Sequence, residues 1–339
     1  MKILTIETSC DETALALVEA GGGLKNPRFK VLENLVSSQV KIHRPFGGVV
    51  PNLAKREHLK NLPILLKRIE KKIDLSKIDL LAVTVGPGLE PALWVGINFS
   101  RVLAEKLKKP LIGANHLEGH LYSFLLTPEN KIPKIFPATA LLVSGGHTIL
   151  LKMTSLTQWK KIGETRDDAA GEAYDKVARL LDFPYPGGPE IEKAARKIKS
   201  GFIDFPRPMM NQKNYDFSFS GLKTAVLYAV RDWPGKLGEG DRALVAASFQ
   251  RAAVEVLVKK TIRAAKETKA KSIILSGGVA ANKFLRSELK EGAEGEGLNF
   301  LVPEFEFNTD NAAMIAPAAY FSFLRKKKRR LIAQANLSV

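Results

Sequence analysis

Two histidines stand four residues apart in Asn115-His116-Leu117-Glu118-Gly119-His120. On a helix such residues project from one face, so both imidazoles can share one metal ion. The chain has only 5 histidines, which makes the pairing informative. It is not the H-E-x-x-H pattern of zinc peptidases, because the acid does not follow the first histidine. A third, oxygen ligand has to come from elsewhere. Asp310, in Asn308-Thr309-Asp310-Asn311, stands where a loop meets an apolar helix. Capping that helix and ligating a metal are both open to it.

Three apolar stretches run into small polar turns: Thr8-Ser9, Ser144-Gly145-Gly146 and Ser276-Gly277-Gly278. Glycine lets backbone N–H groups approach an anion, and a hydroxyl adds a hydrogen bond. Ligands of open α/β sheets sit at such strand ends. Three of them in one chain favour a phosphate-bearing ligand. Neither a G-x-x-x-x-G-K-[ST] loop nor a G-x-G-x-x-G after the first strand occurs, which excludes a P-loop and speaks against a dinucleotide fold. In Asp167-Asp168-Ala169-Ala170-Gly171-Glu172-Ala173-Tyr174-Asp175-Lys176, the carboxylates of Asp168, Glu172 and Asp175 are spaced for one helical face. With Tyr185-Pro186-Gly187-Gly188-Pro189 they could hold the hydroxyls of a ribose.

The elements that must position these residues are legible in outline. Strands are expected at 3–8, 14–18, 31–36, 80–85 and 110–114, with helices at 51–72 and 91–108. The pattern then partly repeats. Strands are expected at 138–143, 149–153, 160–164, 272–275 and 299–302, and helices at 168–182, 242–267, 281–290 and 311–324. This is a duplicated α/β unit. Residues 1–130 form the first lobe, completed by the helix 311–324. Residues 131–310 form the second, with an irregular, Pro- and Gly-rich insertion at about 183–240. Residues 325–339 are a basic tail.

Composition agrees with two folded domains: 339 residues, 45% hydrophobic and 26% charged. No apolar run reaches the roughly 20 residues of a membrane span. Met1 to Glu7 reads as a strand, not as a signal-peptide core. The single cysteine, Cys10, points to a reducing cytoplasm. Net charge is +17, of which Arg325-Lys326-Lys327-Lys328-Arg329-Arg330 supplies six, leaving +11 elsewhere. Such a surface attracts polyanions, nucleic acid first among them.

The chain also resembles a known family. The resemblance rests on Glu7-Thr8-Ser9-Cys10-Asp11-Glu12-Thr13, Gly47-Gly48-Val49-Val50-Pro51, Gly86-Pro87-Gly88-Leu89 and His116-Leu117-Glu118-Gly119-His120 in the first part. Further on it rests on Leu142-Val143-Ser144-Gly145-Gly146-His147-Thr148, Asp168-Ala169-Ala170-Gly171-Glu172-Ala173 and Tyr185-Pro186-Gly187-Gly188-Pro189. Asp216-Phe217-Ser218-Phe219-Ser220-Gly221-Leu222-Lys223-Thr224, Ser276-Gly277-Gly278-Val279 with Ala281-Asn282, and Thr309-Asp310-Asn311 complete it. Together these are similar to the TsaD (Gcp) family, related to the KEOPS catalytic subunit. Leu142, in place of a tyrosine, and His147 point to the bacterial branch. Asn311-Ala312-Ala313 departs from the usual Asn-Gly-Ala, which puts close backbone packing near Asp310 in question.

The resemblance implies the actin-like ATPase (ASKHA) fold: two ribonuclease-H-like lobes with a central nucleotide cleft. It implies transfer of a threonylcarbamoyl group from threonylcarbamoyl-AMP to N6 of adenosine 37 in tRNAs reading codons that start with A, forming t6A. It further implies one Fe2+ or Zn2+ ion on His116, His120 and Asp310, and Leu142, Val143, Ser144, Gly145 and Gly146 around the phosphate. Asp175, Gly188 and Asn282 would hold the ribose and base. TsaB and TsaE are the implied partners, with TsaC or Sua5 supplying the adenylate. Asp11 or Glu12, at the end of the first strand, is the candidate proton acceptor. Two rivals are weaker. A small-molecule kinase leaves the histidine pair unexplained, since magnesium–nucleotide sites prefer oxygen. A metallopeptidase lacks its glutamate base at the required spacing.

Overall fold

The computed structural model describes residues 1–127 and 135–339. The expected lobe boundary at 130/131 lies outside the described residues. The elements of the first part are β1 (Lys2–Glu7), β2 (Glu12–Gly21), β3 (Arg28–Ser38), α1 (Val40–His43), α2 (Pro51–Glu70), β4 (Leu80–Gly86), α3 (Glu90–Leu107), β5 (Leu111–Asn115) and α4 (His116–Tyr122). The second part has β6 (Ala138–Val143), β7 (Thr148–Ser155), β8 (Gln158–Glu164), α5 (Ala170–Leu180), α6 (Gly187–Ala195), α7 (Ser220–Arg231) and α8 (Glu239–Glu267). It continues through β9 (Ser272–Ser276), α9 (Lys283–Gly295) and β10 (Asn299–Leu301), and α10 (Ile315–Leu324) follows.

The strands form two five-stranded sheets, ordered β3-β2-β1-β4-β5 and β10-β9-β6-β7-β8. In each, the first strand pairs antiparallel with the second and parallel with the fourth. The two halves therefore repeat one topology. The chain divides into two compact units, Met1–Pro133 with Pro303–Val339, and Lys134–Val302.

Period-two alternation builds the first unit. Leu4, Ile6, Leu15 and Leu17 pack with Leu62, Leu65 and Ile69 of α2 and Val95 and Ile97 of α3. Ala14, Ala16 and Val18 point the other way, onto Phe307, Ala312, Ala313 and Ala316. Small residues on that face let the 307–316 segment lie close to the sheet, and Thr5 Oγ1 donates to the Ala312 carbonyl at 2.6 Å. Ala312 itself is fully buried, so the alanine found here is accommodated. In the second unit, Leu141, Val143, Leu150, Ile273 and Leu275 share one core with α5 to α9, centred on Phe217, Phe219 and Phe249.

Four expectations change. Residues 303–310 group with the first unit, because the second sheet ends at Leu301 and Phe307 is buried against β2. The 183–240 insertion contains two helices, α6 and α7. In α6 the residues Gly187, Ile191 and Ala195 recur at four-residue intervals and are buried, a helical signal hidden by the surrounding prolines and glycines. The last helix begins at Ile315, and its preceding turn is held by Asn311 Oδ1 accepting from Met314 N at 3.0 Å, so Asp310 does not cap it. Residues 325–339, expected as a basic tail, also contribute to the core: Leu331, Ala333 and Leu337 pack on the first unit.

Candidate functional site

In the first unit the functional residues gather at the carboxyl ends of β1, β4 and β5. Asn115 ends β5 and caps α4, its Oδ1 accepting from Leu117 N at 2.7 Å and Glu118 N at 3.2 Å. That cap starts the helix at His116, so His116 and His120 share a face, with ring centroids 4.7 Å apart. Asp310 completes the set. Its Oδ1 lies 3.0 Å from His120 Nε2 and 3.5 Å from His116 Nε2. One ligand atom from each of the three lies within 4.8 Å of the others.

Glu7 was not anticipated from the sequence. It is fully buried, and its Oε2 stands 3.1 Å from His116 Nδ1. Thr84 Oγ1 donates to the same oxygen at 2.6 Å, and Ser9 N donates to Oε1 at 2.5 Å. A carboxylate at Nδ1 requires the proton there, so Nε2 is the nitrogen that faces Asp310 and that can ligate once its own proton is lost. The signal was present in the Glu7-Thr8-Ser9 strand end, but nothing in a linear sequence pairs position 7 with 116. Burial works against a charged imidazole, yet Asp310 and Glu7 outweigh it and push His116 up to about 9. Burial holds His120 below the usual range, with His116 adding to the effect against the Asp310 hydrogen bond.

The donor set fits a metal ion. Two imidazole Nε2 atoms and one carboxylate oxygen converge, a three-ligand arrangement that leaves positions for water or substrate, and a metal would displace the proton His116 carries without it. Donors about 2.1 Å from one ion at a tetrahedral angle stand about 3.4 Å apart, close to the 3.0 and 3.5 Å between the Asp310 oxygen and the two rings. The negative field extends to the neighbouring loop. Burial, Asp11 and Asp310 together push the Glu12 carboxyl well above its ordinary range. Asp11 Oδ2 is buried without a hydrogen-bond partner among the described residues.

Replacing Glu7 by glutamine is expected to keep the shape while turning an N–H donor toward His116 Nδ1. Losses of 10- to 100-fold in metal affinity follow removal of such supporting carboxylates. Titration against a chelator reads this directly, and an unchanged affinity would show that Glu7 does not orient His116.

In the second unit the expected residues form one connected rim at the ends of β6 and β9. Leu142 and Val143 belong to the ladder itself, paired with Ile149 and Thr148. Both side chains are buried on opposite faces of the strand, Val143 in the core shared with α5 to α9, whereas Gly145 and Gly146 are exposed. Ser144 N is committed to the His147 carbonyl at 2.8 Å. The start of α5 packs on this turn, with Gly171 N donating to Ser144 O at 3.2 Å and Glu172 N to Gly145 O at 3.1 Å. Asp175 Oδ1 accepts from Gly187 N at 2.7 Å and so fixes the start of α6, beside Gly188. Glu192 of α6 accepts from Lys283 N at 3.1 Å, joining α6 to α9. Asn282 caps α9 through Leu285 N at 2.9 Å, and its Nδ2 donates to Gln250 Oε1 at 2.8 Å.

The expected carboxylate face is not continuous. Asp168 precedes α5 and is held by Lys176 and Lys223, each at 2.7 Å. Glu172 pairs with Lys176 at 2.8 Å. Asp167, passed over in the sequence, anchors the following motif by accepting from Ser218 Oγ, Phe219 N and Ser220 Oγ.

Two α/β units of one topology, with a convergent His-His-Asp cluster in the first, define an ASKHA-type protein carrying a set of residues able to hold a metal. Solved structures agree on the fold. T. kodakarensis HypF aligns with a TM-score of 0.62 at 15% identity, over 96% of this chain and 48% of that one. The chain thus spans about half of HypF. The activator of 2-hydroxyisocaproyl-CoA dehydratase from Clostridium difficile, with bound ADPNP, aligns at 0.51 and 11% identity over 96% of both chains. Sequence narrows this to a family. The TsaD family, tRNA N6-adenosine threonylcarbamoyltransferase, matches residues 30–317. Its member from Thermosipho melanesiensis is 49% identical over 100% of both chains. The Moorella thermoacetica member is 49% identical over 96% of this chain and 92% of its own. The chain belongs to the TsaD family.

Proposed function

We propose that this chain transfers the threonylcarbamoyl group of threonylcarbamoyl-AMP to N6 of adenosine 37 in tRNAs reading codons that start with A. The observation that carries this reading is the full-length identity of 49% to a tRNA N6-adenosine threonylcarbamoyltransferase. N6 attacks the carbamoyl carbon, the bond from that carbon to the phosphate oxygen breaks, AMP leaves, and N6 gives up one proton.

His116, His120 and Asp310 are the residues that would hold Fe2+ or Zn2+, since imidazole and carboxylate suit both. Such an ion supplies Lewis-acid polarisation of the carbamoyl carbonyl or an anchor for the threonyl carboxylate. Glu7 keeps the His116 ring in its ligating tautomer. Gly145 and Gly146 offer N–H groups to the phosphate, where negative charge grows as AMP departs. Leu142, Val143 and Ser144 hold that turn in place through the β6 ladder. Asp175, Gly188 and Asn282 line the ribose and base site. Glu12, held toward its protonated form, is the poorer proton acceptor, so Asp11 takes the N6 proton through its uncommitted oxygen.

TsaB and TsaE are the partners in this reading, TsaC or Sua5 supplies the adenylate, and the setting is the cytoplasm. No helix among the described residues is long and apolar enough to cross a membrane. Reconstitution with these proteins, followed by mass analysis of tRNA nucleosides, tests the reaction. Appearance of t6A is expected, and its absence with all components present would overturn the reading.

The basic surface gives a separate expectation. Arg325, Lys326, Lys328 and Arg330 point to solvent. If they meet tRNA phosphates, log affinity falls linearly with log salt, by roughly 0.7–0.9 per contact. Changing Lys326, Lys328 and Arg330 to glutamine should lower that slope by about 2. An unchanged slope would take these cations out of the interface.

A further inference from the structure

We propose that residues 325–339 form a strap that positions α4, the helix carrying both histidine ligands. The inference rests on the metal reading of His116, His120 and Asp310, and adds residues that touch neither metal nor substrate.

The strap grips α4 at two points. Asn115 is fully buried and serves two masters: its Oδ1 caps α4, while its Nδ2 donates to the Ser338 carbonyl at 2.8 Å. The orientation of the cap is therefore set from the last residues of the chain. Glu118 lies between the two histidines in the sequence, and its side chain is 6% exposed. Its Oε1 accepts from Arg329 Nη2 at 2.5 Å, with Lys327 Nζ at 3.5 Å. Arg329 is itself largely buried, at 11% side-chain exposure. Within the basic run Arg329 thus turns inward, while Lys327 reaches Glu118 from an exposed position.

The strap is anchored firmly enough to act as a brace. Gln334 N donates to the Val85 carbonyl at 2.8 Å and Gly88 N to the Ala335 carbonyl at 3.2 Å. Arg101 Nη2 donates to the Leu331 carbonyl at 2.5 Å. Gly86 has to be glycine, because a Cβ there would overlap the Gln334 carbonyl. Leu89, next after the Gly86–Gly88 turn, holds Ser9, which stands beside His116. Leu89 N donates to Ser9 O at 2.7 Å, and Ser9 Oγ stands 3.1 Å from His116 Nδ1. Both the helix under the histidines and the loop beside His116 are thus tied to one segment.

Breaking a buried ion pair leaves the remaining charge uncompensated. Without Arg329, Glu118 has reason to leave its site and to turn α4 with it. The residues then act as Glu7 does, through another group, and the expected loss is of that supporting kind, about 10- to 100-fold in metal affinity.

The test uses the full chain and Zn2+ titrated against a chelator, with Co2+ visible absorption as a reporter of ligand geometry and melting of the metal-free protein as a control. Arg329→Met should lose 10- to 100-fold in Zn2+ affinity and change the Co2+ spectrum. Arg329→Lys, which keeps the charge, should lose less than about fivefold. Deletion of Ser338 and Val339 should cost about threefold to tenfold, and it carries the test alone if Arg329→Met does not fold. Leu65→Ala, in α2 and outside both the strap and α4, weakens the first unit's core; it should lower the melting temperature and leave affinity unchanged. Wild-type affinity and spectrum in the deletion and in a folded Arg329→Met would overturn the strap. So would an equal loss in Leu65→Ala. A wild-type protein that binds no metal would overturn the metal reading and the strap together, whereas a binding wild type with unaffected variants would sink the strap alone.

Discussion

Alanine at His120 or at Asp310 is expected to remove stoichiometric metal from the purified protein and to cut t6A formation by about a thousandfold. Each belongs to the three-residue group, among the described residues, that could hold the ion. Structural sites with four ligands bind zinc with about 10–16 kcal/mol, so one ligand is worth roughly 3–4 kcal/mol, or two to three orders of magnitude. AMP binding should stay within about twofold of wild type, because the residues proposed for ribose and base, Asp175, Gly188 and Asn282, belong to the other unit. Metal analysis beside AMP calorimetry reads both. Full metal content in both variants would remove these residues from the site.

The second large effect is expected from Gly171→Val. A side chain at position 171 would run into the Ser144 carbonyl and the Gly145 backbone. It would lever the start of α5 away from the turn and break the Gly171 and Glu172 hydrogen bonds to it. Overpacking of this kind costs about 1–3 kcal/mol, equivalent to about tenfold to a hundredfold in AMP affinity. Metal content, set in the first unit, should not change and so serves as the control for folding. Unaltered AMP binding would mean that the Ser144–Gly146 turn does not hold the phosphate.

What the sequence disclosed and what it hid follow from the range of the signal. Strand alternation and helical periodicity act over a few residues, and they located nearly every strand and long helix. The histidine pair was visible for the same reason: i and i+4 on one helix are neighbours by construction. Asp310 could be proposed from its place in a motif, but its alternative role as a cap could be dismissed only once the helix was seen to begin at Ile315. Glu7 and Arg329 were missed because their meaning lies in pairings across 109 and 211 residues. The basic run reads only as a polyanion-attracting tail, since charge density on its own says nothing about which cation turns inward. Helix α6 was hidden by composition: prolines and glycines mark turns, yet Pro186 here only opens a helix whose buried face is Gly187, Ile191 and Ala195. The duplication, by contrast, was recoverable because each half repeats the same local order of elements.

The fate of the carbamoyl carbon distinguishes transfer to tRNA from simple hydrolysis of the adenylate. Threonylcarbamoyl-AMP labelled in its carbamoyl carbon would be given to this protein together with TsaB, TsaE and unmodified tRNA, and products followed over a single turnover. Label should appear on N6 of adenosine 37 in amounts equal to the AMP released, and the His120→Ala protein should release neither product above background. AMP release without labelled tRNA, or labelled tRNA formed equally well by the His120→Ala protein, would contradict the mechanism.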